Sequence, residues 1–140
     1  MKSLKFLVIE DELTIIKDIT LCFESKWPCI NLVSTSLGEK GIELAEIDPP
    51  DLVILGLSLP DIDGFEVLRH IRSYSDVPVI IHTVRNEESD VVKGLDIGAD
   101  DYILKPFEPT EFLARIKYLM KSRQRIGFSK LAKILSLGIN

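Results

Sequence analysis

The chain is poor in cysteine: Cys22 and Cys29 are the two thiols in its 140 residues. Two thiols cannot build a disulfide framework, and they are expected as half-buried groups in a reducing compartment. No apolar run approaches the ~20 residues that a membrane helix needs. The start, Met1-Lys2-Ser3-Leu4-Lys5-Phe6, leads straight into a strand-like run and lacks a cleavage site, unlike a signal peptide. Low-complexity segments are missing too, and no repeat appears beyond a βα alternation. What is there is globular: 46% hydrophobic and 28% charged residues exclude disorder and coiled coil. The expectation is one soluble, cytoplasmic domain with no membrane partner, hiding roughly two thirds of its unfolded surface.

Acids are missing from the end of the chain. Residues 1–120 hold all 22 acids against 12 bases, a net of −10, while 121–140 hold Lys121, Arg123, Arg125, Lys130 and Lys133, a net of +5. So acidic a body repels phosphates, which excludes nucleic-acid binding through the main surface. The basic end reads first as a solvated linker.

Short apolar runs, rich in Val, Ile and Leu, occur at Lys5–Ile9, Ile30–Ser34, Leu52–Leu57, Val77–Ile81 and Asp101–Leu104. They are continuous rather than alternating, as in strands covered on both faces of a parallel sheet. Helix-period segments lie between and after them: Leu13, Ile16, Thr20 and Phe23; Leu37, Gly41 and Leu44; Phe65, Leu68 and Ile71; Val91 or Val92 with Leu95 and Ala99; and Phe112 or Leu113 with Ile116 and Leu119 or Met120. Ser36 with Glu39 predicts a capping box for the second helix, and Pro109 suits the first turn of the fifth. Five βα units make a doubly wound α/β domain with a five-stranded parallel sheet. In residues 123–140, Phe128, Leu131, Ile134 and Leu135 have the spacing of one more short amphipathic helix, bracketed by Gly127 and Gly138.

Ligands of open α/β sheets bind beyond the carboxyl ends of the strands. Glu10-Asp11 follows the first run. Asp11 can cap the first helix, or both carboxylates can hold Mg²⁺, which takes one or two such ligands and keeps several waters. Thr83 follows the fourth run and Lys105-Pro106 the fifth. A cis Lys-Pro bond would aim the lysine back across the sheet edge. His82 should face away from Thr83, since successive strand side chains alternate, and reads as a packing residue. An acid pair, a hydroxyl and a cation thus converge on one pocket.

This set resembles the receiver domain of two-component response regulators. The matching stretches are Phe6-Leu-Val-Ile-Glu-Asp-Glu12, Pro50-Asp-Leu-Val-Ile-Leu55, Leu59-Pro-Asp-Ile-Asp-Gly-Phe-Glu-Val-Leu68, Pro78-Val-Ile-Ile-His-Thr83 and Gly98-Ala-Asp-Asp-Tyr-Ile-Leu-Lys-Pro-Phe107. The likeness covers residues 4–122, giving a receiver domain at 1–122 and a basic linker or C-terminal tail at 123–140. It implies a flavodoxin-like (βα)5 fold with strand order 2-1-3-4-5. It also implies that Glu10, Asp11 and the main-chain carbonyl of Ser58 bind Mg²⁺, that Thr83 and Lys105 meet the phosphoryl group, and that the Tyr102 rotamer follows the hydroxyl.

The phosphoryl acceptor of the family is an aspartate at the end of the third strand, and here that position is Gly56. Transfer from a phosphohistidine needs a carboxylate nucleophile beside the metal, and glycine supplies none. The chain is therefore expected not to be phosphorylated in the family's usual way, to hold Mg²⁺ weakly, and not to be an enzyme. Gly56 is either native to a pseudo-receiver that signals by protein binding or a change in an ordinary receiver.

Residues 91–120 resemble the subfamily with winged-helix DNA-binding output domains. That likeness implies a sensor histidine kinase as partner, contact with DNA only through an output domain, and a homodimer through the fourth helix, fifth strand and fifth helix. Crossed ion pairs of Asp101 with Arg115, and of Asp100 with a base around Lys121–Arg123, would surround an apolar centre at Leu95 and Ala114. Glu111 would need a basic partner; Val91 departs from the pattern there and Lys93 would stand in. The competing reading is a Mg²⁺-dependent phosphatase using Asp61 and Asp63 as nucleophile and acid, although Leu59-Pro60 separates them from the strand. A flavin module lacks its phosphate loop after the first strand.

Overall fold

The sequence's apolar runs fall on the strands of one sheet. A computed structural model describes residues 4–123. It contains β1 (Lys5–Ile9), α1 (Leu13–Lys26), β2 (Asn31–Thr35), α2 (Gly38–Ile47), β3 (Leu52–Leu55), α3 (Gly64–Arg72), β4 (Val79–Thr83), α4 (Glu88–Ile97), β5 (Asp101–Leu104) and α5 (Pro109–Arg123). All pairings are parallel, in the order β2-β1-β3-β4-β5 that the resemblance implied. The tail pattern at Phe128, Leu131, Ile134 and Leu135 lies outside the described residues.

Alternation splits the central strands between two apolar layers. Phe6, Val8, Leu52, Ile54, Ile80 and Ile103 face α1 and α5, where they meet Phe23, Trp27, Phe112 and Ile116. Leu7, Ile9, Val53, Leu55, Val79 and Ile81 face the opposite layer with Ala45, Phe65, Leu68 and Ile71. Burying one such side chain stabilises by about 1.5–3 kcal/mol, so the two layers supply the main force that holds the strand ends in place.

Several boundaries differ from the sequence expectation. β3 stops at Leu55 rather than Leu57. Gly56 N–H still donates to the Ile9 carbonyl at 2.8 Å, but Leu57 O instead accepts from Gly64 N–H at 2.8 Å, which turns the chain. At Gly64 an added Cβ would stand 2.3 Å from the Gly56 carbonyl oxygen, so the turn needs glycine there. β4 starts at Val79, after Pro78, which has no N–H to offer a ladder, and continues through His82 and Thr83, which pair in register with Ile103 and Leu104. β2 is shifted by one residue, to Asn31–Thr35.

The expected caps are also revised. Glu12, not Asp11, stands before α1 and makes no side-chain cap; its carbonyl accepts from Ile15 and Ile16. No Ser36–Glu39 capping box forms. Asp61, from the loop after β3, accepts from the Gly38 and Glu39 N–H groups at 2.8 and 2.9 Å and holds α2 from outside. These backbone donors draw the Asp61 carboxyl below its ordinary value. Asp63 caps α3 through Phe65 N–H at 2.8 Å, the turn-and-cap role expected of it. Cys22 is half-buried, with its thiol pushed up by burial, whereas Cys29 is exposed in the turn before β2.

Candidate functional site

The carboxyl ends of β1, β3, β4 and β5 bring Glu10, Gly56, Thr83 and Lys105 to one edge of the sheet. Glu10 is 4% exposed, fixed by its N–H on the Thr35 carbonyl at 3.0 Å. Lys105 is fixed by its N–H on the Thr83 carbonyl at 2.8 Å, and the Lys105-Pro106 bond is cis, as anticipated. Its ammonium crosses the pocket to Glu10, at 3.0 Å from Oε1 and 3.1 Å from Oε2. Glu12 closes over the same ammonium at 3.2 Å, and Glu12 N–H donates to Glu10 Oε2 at 3.1 Å. Glu12 belongs to the first stretch that carries the resemblance, but sequence reading gave it no role, because its contact with Lys105 joins residues 93 apart in the chain.

Gly56 is buried against this ion pair. A Cβ built on it would lie 3.0 Å from Glu10 Oε1 and 3.4 Å from the Ile9 carbonyl oxygen. Position 56 therefore points at Glu10, and a Cβ there would require only the end of the Glu10 side chain to shift slightly. Asp11 and Ser58 are exposed at the rim.

A second cluster gathers around Arg85, which sequence reading also missed; nothing in the local pattern distinguishes it from an ordinary loop cation. Thr83, 2% exposed, accepts from Arg85 N–H at 3.2 Å. The Tyr102 hydroxyl donates to the Arg85 carbonyl at 2.8 Å, so the two residues expected to act together are joined through the backbone of one residue, Arg85. Burial, followed by the Asp90 charge, raises the Tyr102 phenol above its usual value. The Arg85 guanidinium pairs with Asp63 at 3.0 Å and lies 5.6 Å from the Phe65 ring centroid. With Asp61 and Asp63 both accepting helix N–H groups, neither is presented as a nucleophile.

The metal expectation can be tested on the donors. Glu10 and Asp11 match Mg²⁺ in number, since that ion takes one or two carboxylates and keeps its waters. Yet among the described residues no group of three or more His, Cys, Asp or Glu side chains is placed to hold a metal. Glu10 and Asp11 are thus two candidate carboxylate ligands, with the Ser58 carbonyl as a further candidate.

On the α4–β5–α5 face, Leu95 is 46% exposed and Ala114 is also exposed, with Val92 and Leu104 beside them. Arg115 Nη1 reaches both Asp101 oxygens at 3.0 Å within the subunit, and Nη2 lies 3.7 Å from Glu111. Asp100 is held within the subunit: it accepts from Val79 N–H at 2.9 Å and from Arg72 at 3.1 Å. Within the subunit the Lys93 ammonium stands 4.6 Å from the Phe65 ring centroid. A groove of ≈ 800 Å³ between α1 and α5, floored by Trp27 and Phe107, carries none of the strand-end chemistry. No helix among the described residues is long and apolar enough to cross a membrane.

Comparison with known proteins points to one family. The model of the response regulator receiver domain family matches residues 6–117. The chain is 38% identical over 127 residues to the probable transcriptional regulator ycf27 of Guillardia theta, covering 89% of this chain and 48% of the relative. It is 37% identical over 118 residues to the alkaline phosphatase synthesis transcriptional regulatory protein PhoP of Bacillus subtilis, covering 84% and 48%. The chain thus spans about half the length of these curated relatives. Among solved structures, the BeF3-activated N-terminal receiver domain of Klebsiella pneumoniae RstA superposes with a TM-score of 0.76 at 28% identity, covering 81% of this chain and 96% of that one.

Proposed function

This chain belongs to the response regulator receiver domain family, and from that premise we propose that it is the receiver module of a two-component transcription regulator whose phosphoryl acceptor is replaced by Gly56. One observation carries the reading: residue 56, at the end of β3, points at the Glu10 carboxylate beside Lys105 and brings no side chain of its own. A receiver generally binds Mg²⁺ at its acidic pocket; when bound, the ion neutralises charge on a transferring phosphoryl group. Glu10, Asp11 and the Ser58 carbonyl would hold it.

The chain's own residues define what is left. Lys105 and Thr83 are placed to meet phosphoryl oxygens, but no carboxylate stands in line to form the bond. Signalling then runs through surfaces. A sensor histidine kinase docks at the strand-end edge, and the α4–β5–α5 face, centred on Leu95 and Ala114, joins two copies. Promoter contact belongs to an output domain of the kind that the relatives' names as transcriptional regulators imply. The site is cytoplasmic in this reading and performs no turnover.

The test is to give the pocket its carboxylate. Gly56→Asp should take up a phosphoryl group from acetyl phosphate with Mg²⁺, read as added mass on the intact protein, while the present chain stays unlabelled. Labelling of the present chain would mean that another residue is the acceptor and that the reading is wrong. An unlabelled Gly56→Asp variant at saturating Mg²⁺ would mean that the pocket departs from the family beyond residue 56, as in a native pseudo-receiver that works by protein binding.

A further inference from the structure

We propose that Lys105 is the resident cation of the strand-end pocket: its ammonium neutralises Glu10 from within, and divalent ions of the Mg²⁺ class reach Glu10 and Asp11 only when that ammonium is removed. The inference rests on reading this edge as a receiver pocket and adds how its metal binding is controlled.

Three observations carry it. First, the ammonium does not merely graze Glu10; it stands 3.0 and 3.1 Å from the two oxygens, and the remaining capacity of Oε2 is shared with Glu12 N–H. A metal ligated by Glu10 at ~2.0–2.1 Å would have to share those oxygens with a positive charge already in contact. Second, the pair is enclosed. The side chains of Lys105 and Glu10 are 11% and 5% exposed, so solvent screens the competition between ammonium and metal only weakly. Third, Gly56 removes the carboxylate toward which Lys105 could otherwise turn. Glu10 Oε1 lies 3.0 Å from the place a Cβ would take, and the carboxylate is free to lean into that space. With Glu12 at 3.2 Å as a second arm, the ammonium has its counter-charges without any ion from solution.

The consequence is a pocket whose buried carboxylate, Glu10, has a counter-charge whether or not divalent ions are present. A receiver of this kind presents one pocket state to its partners, independent of the metal supply.

Mn²⁺, whose free form is counted directly by electron paramagnetic resonance, serves as the probe on the full chain. The present chain should show no saturable Mn²⁺ binding in the low millimolar range. Lys105→Met should bind about tenfold more tightly or better, because Glu10 then lacks its counter-charge. Gly56→Asp should also gain binding, through a third carboxylate. If Gly56→Asp gains binding while Lys105→Met matches the present chain, Lys105 is not the barrier; the inference fails and the receiver reading stands. If neither variant binds, Glu10 and Asp11 are not metal ligands, and the receiver reading of the pocket fails with the inference. Should Lys105→Met not fold, the lysine ammonium signals of ¹⁵N-lysine-labelled present chain decide. A hydrogen-bonded Lys105 signal that persists through millimolar Mg²⁺ supports the inference, and its displacement at those concentrations overturns it.

Discussion

His82 and Thr83 are neighbours on β4, and the pleat sends them into opposite environments. Thr83 opens onto a pocket where the charged groups have partners: Lys105 lies between Glu10 and Glu12, and Arg85 pairs with Asp63. His82 enters the apolar layer under α1 and α5, with Phe107 and Phe112 at 5.5 and 6.0 Å between ring centroids. Neither of its ring nitrogens has a hydrogen-bond partner in the protein. Both residues are buried, so burial alone does not separate the two regions; partnering does. Where partners exist, full charges survive inside the protein. Where none exist, the group must stay neutral: burial, helped by the nearby Lys105 charge, pushes the His82 imidazole down to about 4.

Removing Lys105 would break the contrast most severely. Lys105→Met leaves Glu10 buried without its counter-charge, and loss of one partner of a buried pair typically costs about 3–5 kcal/mol. Urea unfolding near neutral pH should show that loss, and Glu10→Gln in the same chain should recover most of it, since the stranded charge then disappears. A Lys105→Met cost within about 1 kcal/mol would place the pair with solvated surface bridges, and the difference between the two regions would vanish.

The next effect sharpens the contrast from the core side. An imidazole that titrates near 6.5 unfolded and about 4 folded binds fewer protons in the native state. Its contribution to stability is intact above pH 6.5 and is lost as the pH falls towards the folded value. The slope is about 1.4 kcal/mol per pH unit, roughly 3 kcal/mol across the window, and the loss levels off below pH 4. His82→Leu should flatten the melting profile between pH 6.5 and 4. It should also match or exceed the present chain at pH 7, because two unpartnered nitrogens leave the core. Parallel pH profiles for the two proteins would show that His82 is not the titrating group.

The same contrast decides what could be read in the sequence. Apolar periodicity was enough for ten elements, their order and the sheet, because two buried layers leave a strong signal at Phe6–Ile9, Leu52–Leu55 and Val79–Ile81. It marked the ends less well: the apolar run covers Val77–Ile81, whereas β4 spans Val79–Thr83, and His82 and Thr83 were placed on it by strand alternation rather than by apolar letters. Of the pocket, Glu10, Thr83 and Lys105 were legible through their place at strand ends, and Gly56 stood out only against the acceptor aspartate that the resemblance implies. Glu12 and Arg85 were not, because each acts through a contact made only in three dimensions. The Asp61 cap on α2 was hidden for the same reason: the donors and the acceptor lie 22 and 23 residues apart, beyond any local capping pattern.

A smaller effect belongs to the loop that joins the pocket to α3. Asp63 both caps α3 and pairs with Arg85, the residue to which Thr83 and Tyr102 are bonded. Asp63→Ala should cost about 1 kcal/mol, the usual value of a cap. Faster amide exchange at Phe65 would identify the cap as the source. Asp63→Asn should keep most of the stability, since an amide oxygen still accepts from that N–H, and should lose only the ion pair with Arg85.

Arg115 lies outside both regions, on the exposed face of α5, and should have the smallest effect on stability. Its guanidinium meets both Asp101 oxygens at 3.0 Å, but the side chain is 42% exposed, and exposed pairs contribute at most about 1 kcal/mol. Arg115→Ala should therefore leave the urea midpoint nearly unchanged. Self-association is a separate quantity. If Leu95 and Ala114 mark the centre of a contact between two copies, Arg115 lies on the same helix as Ala114, at the polar edge of that contact. The pair could then exchange its partner within the subunit for the same partner across the interface at little net cost. Sedimentation across a concentration series should show a weaker dimer for Arg115→Ala and a greater loss for Leu95→Asp, which puts charge into the apolar centre. Unchanged association in both variants would remove the α4–β5–α5 face from consideration, while leaving the pocket and the core, and the contrast between them, untouched.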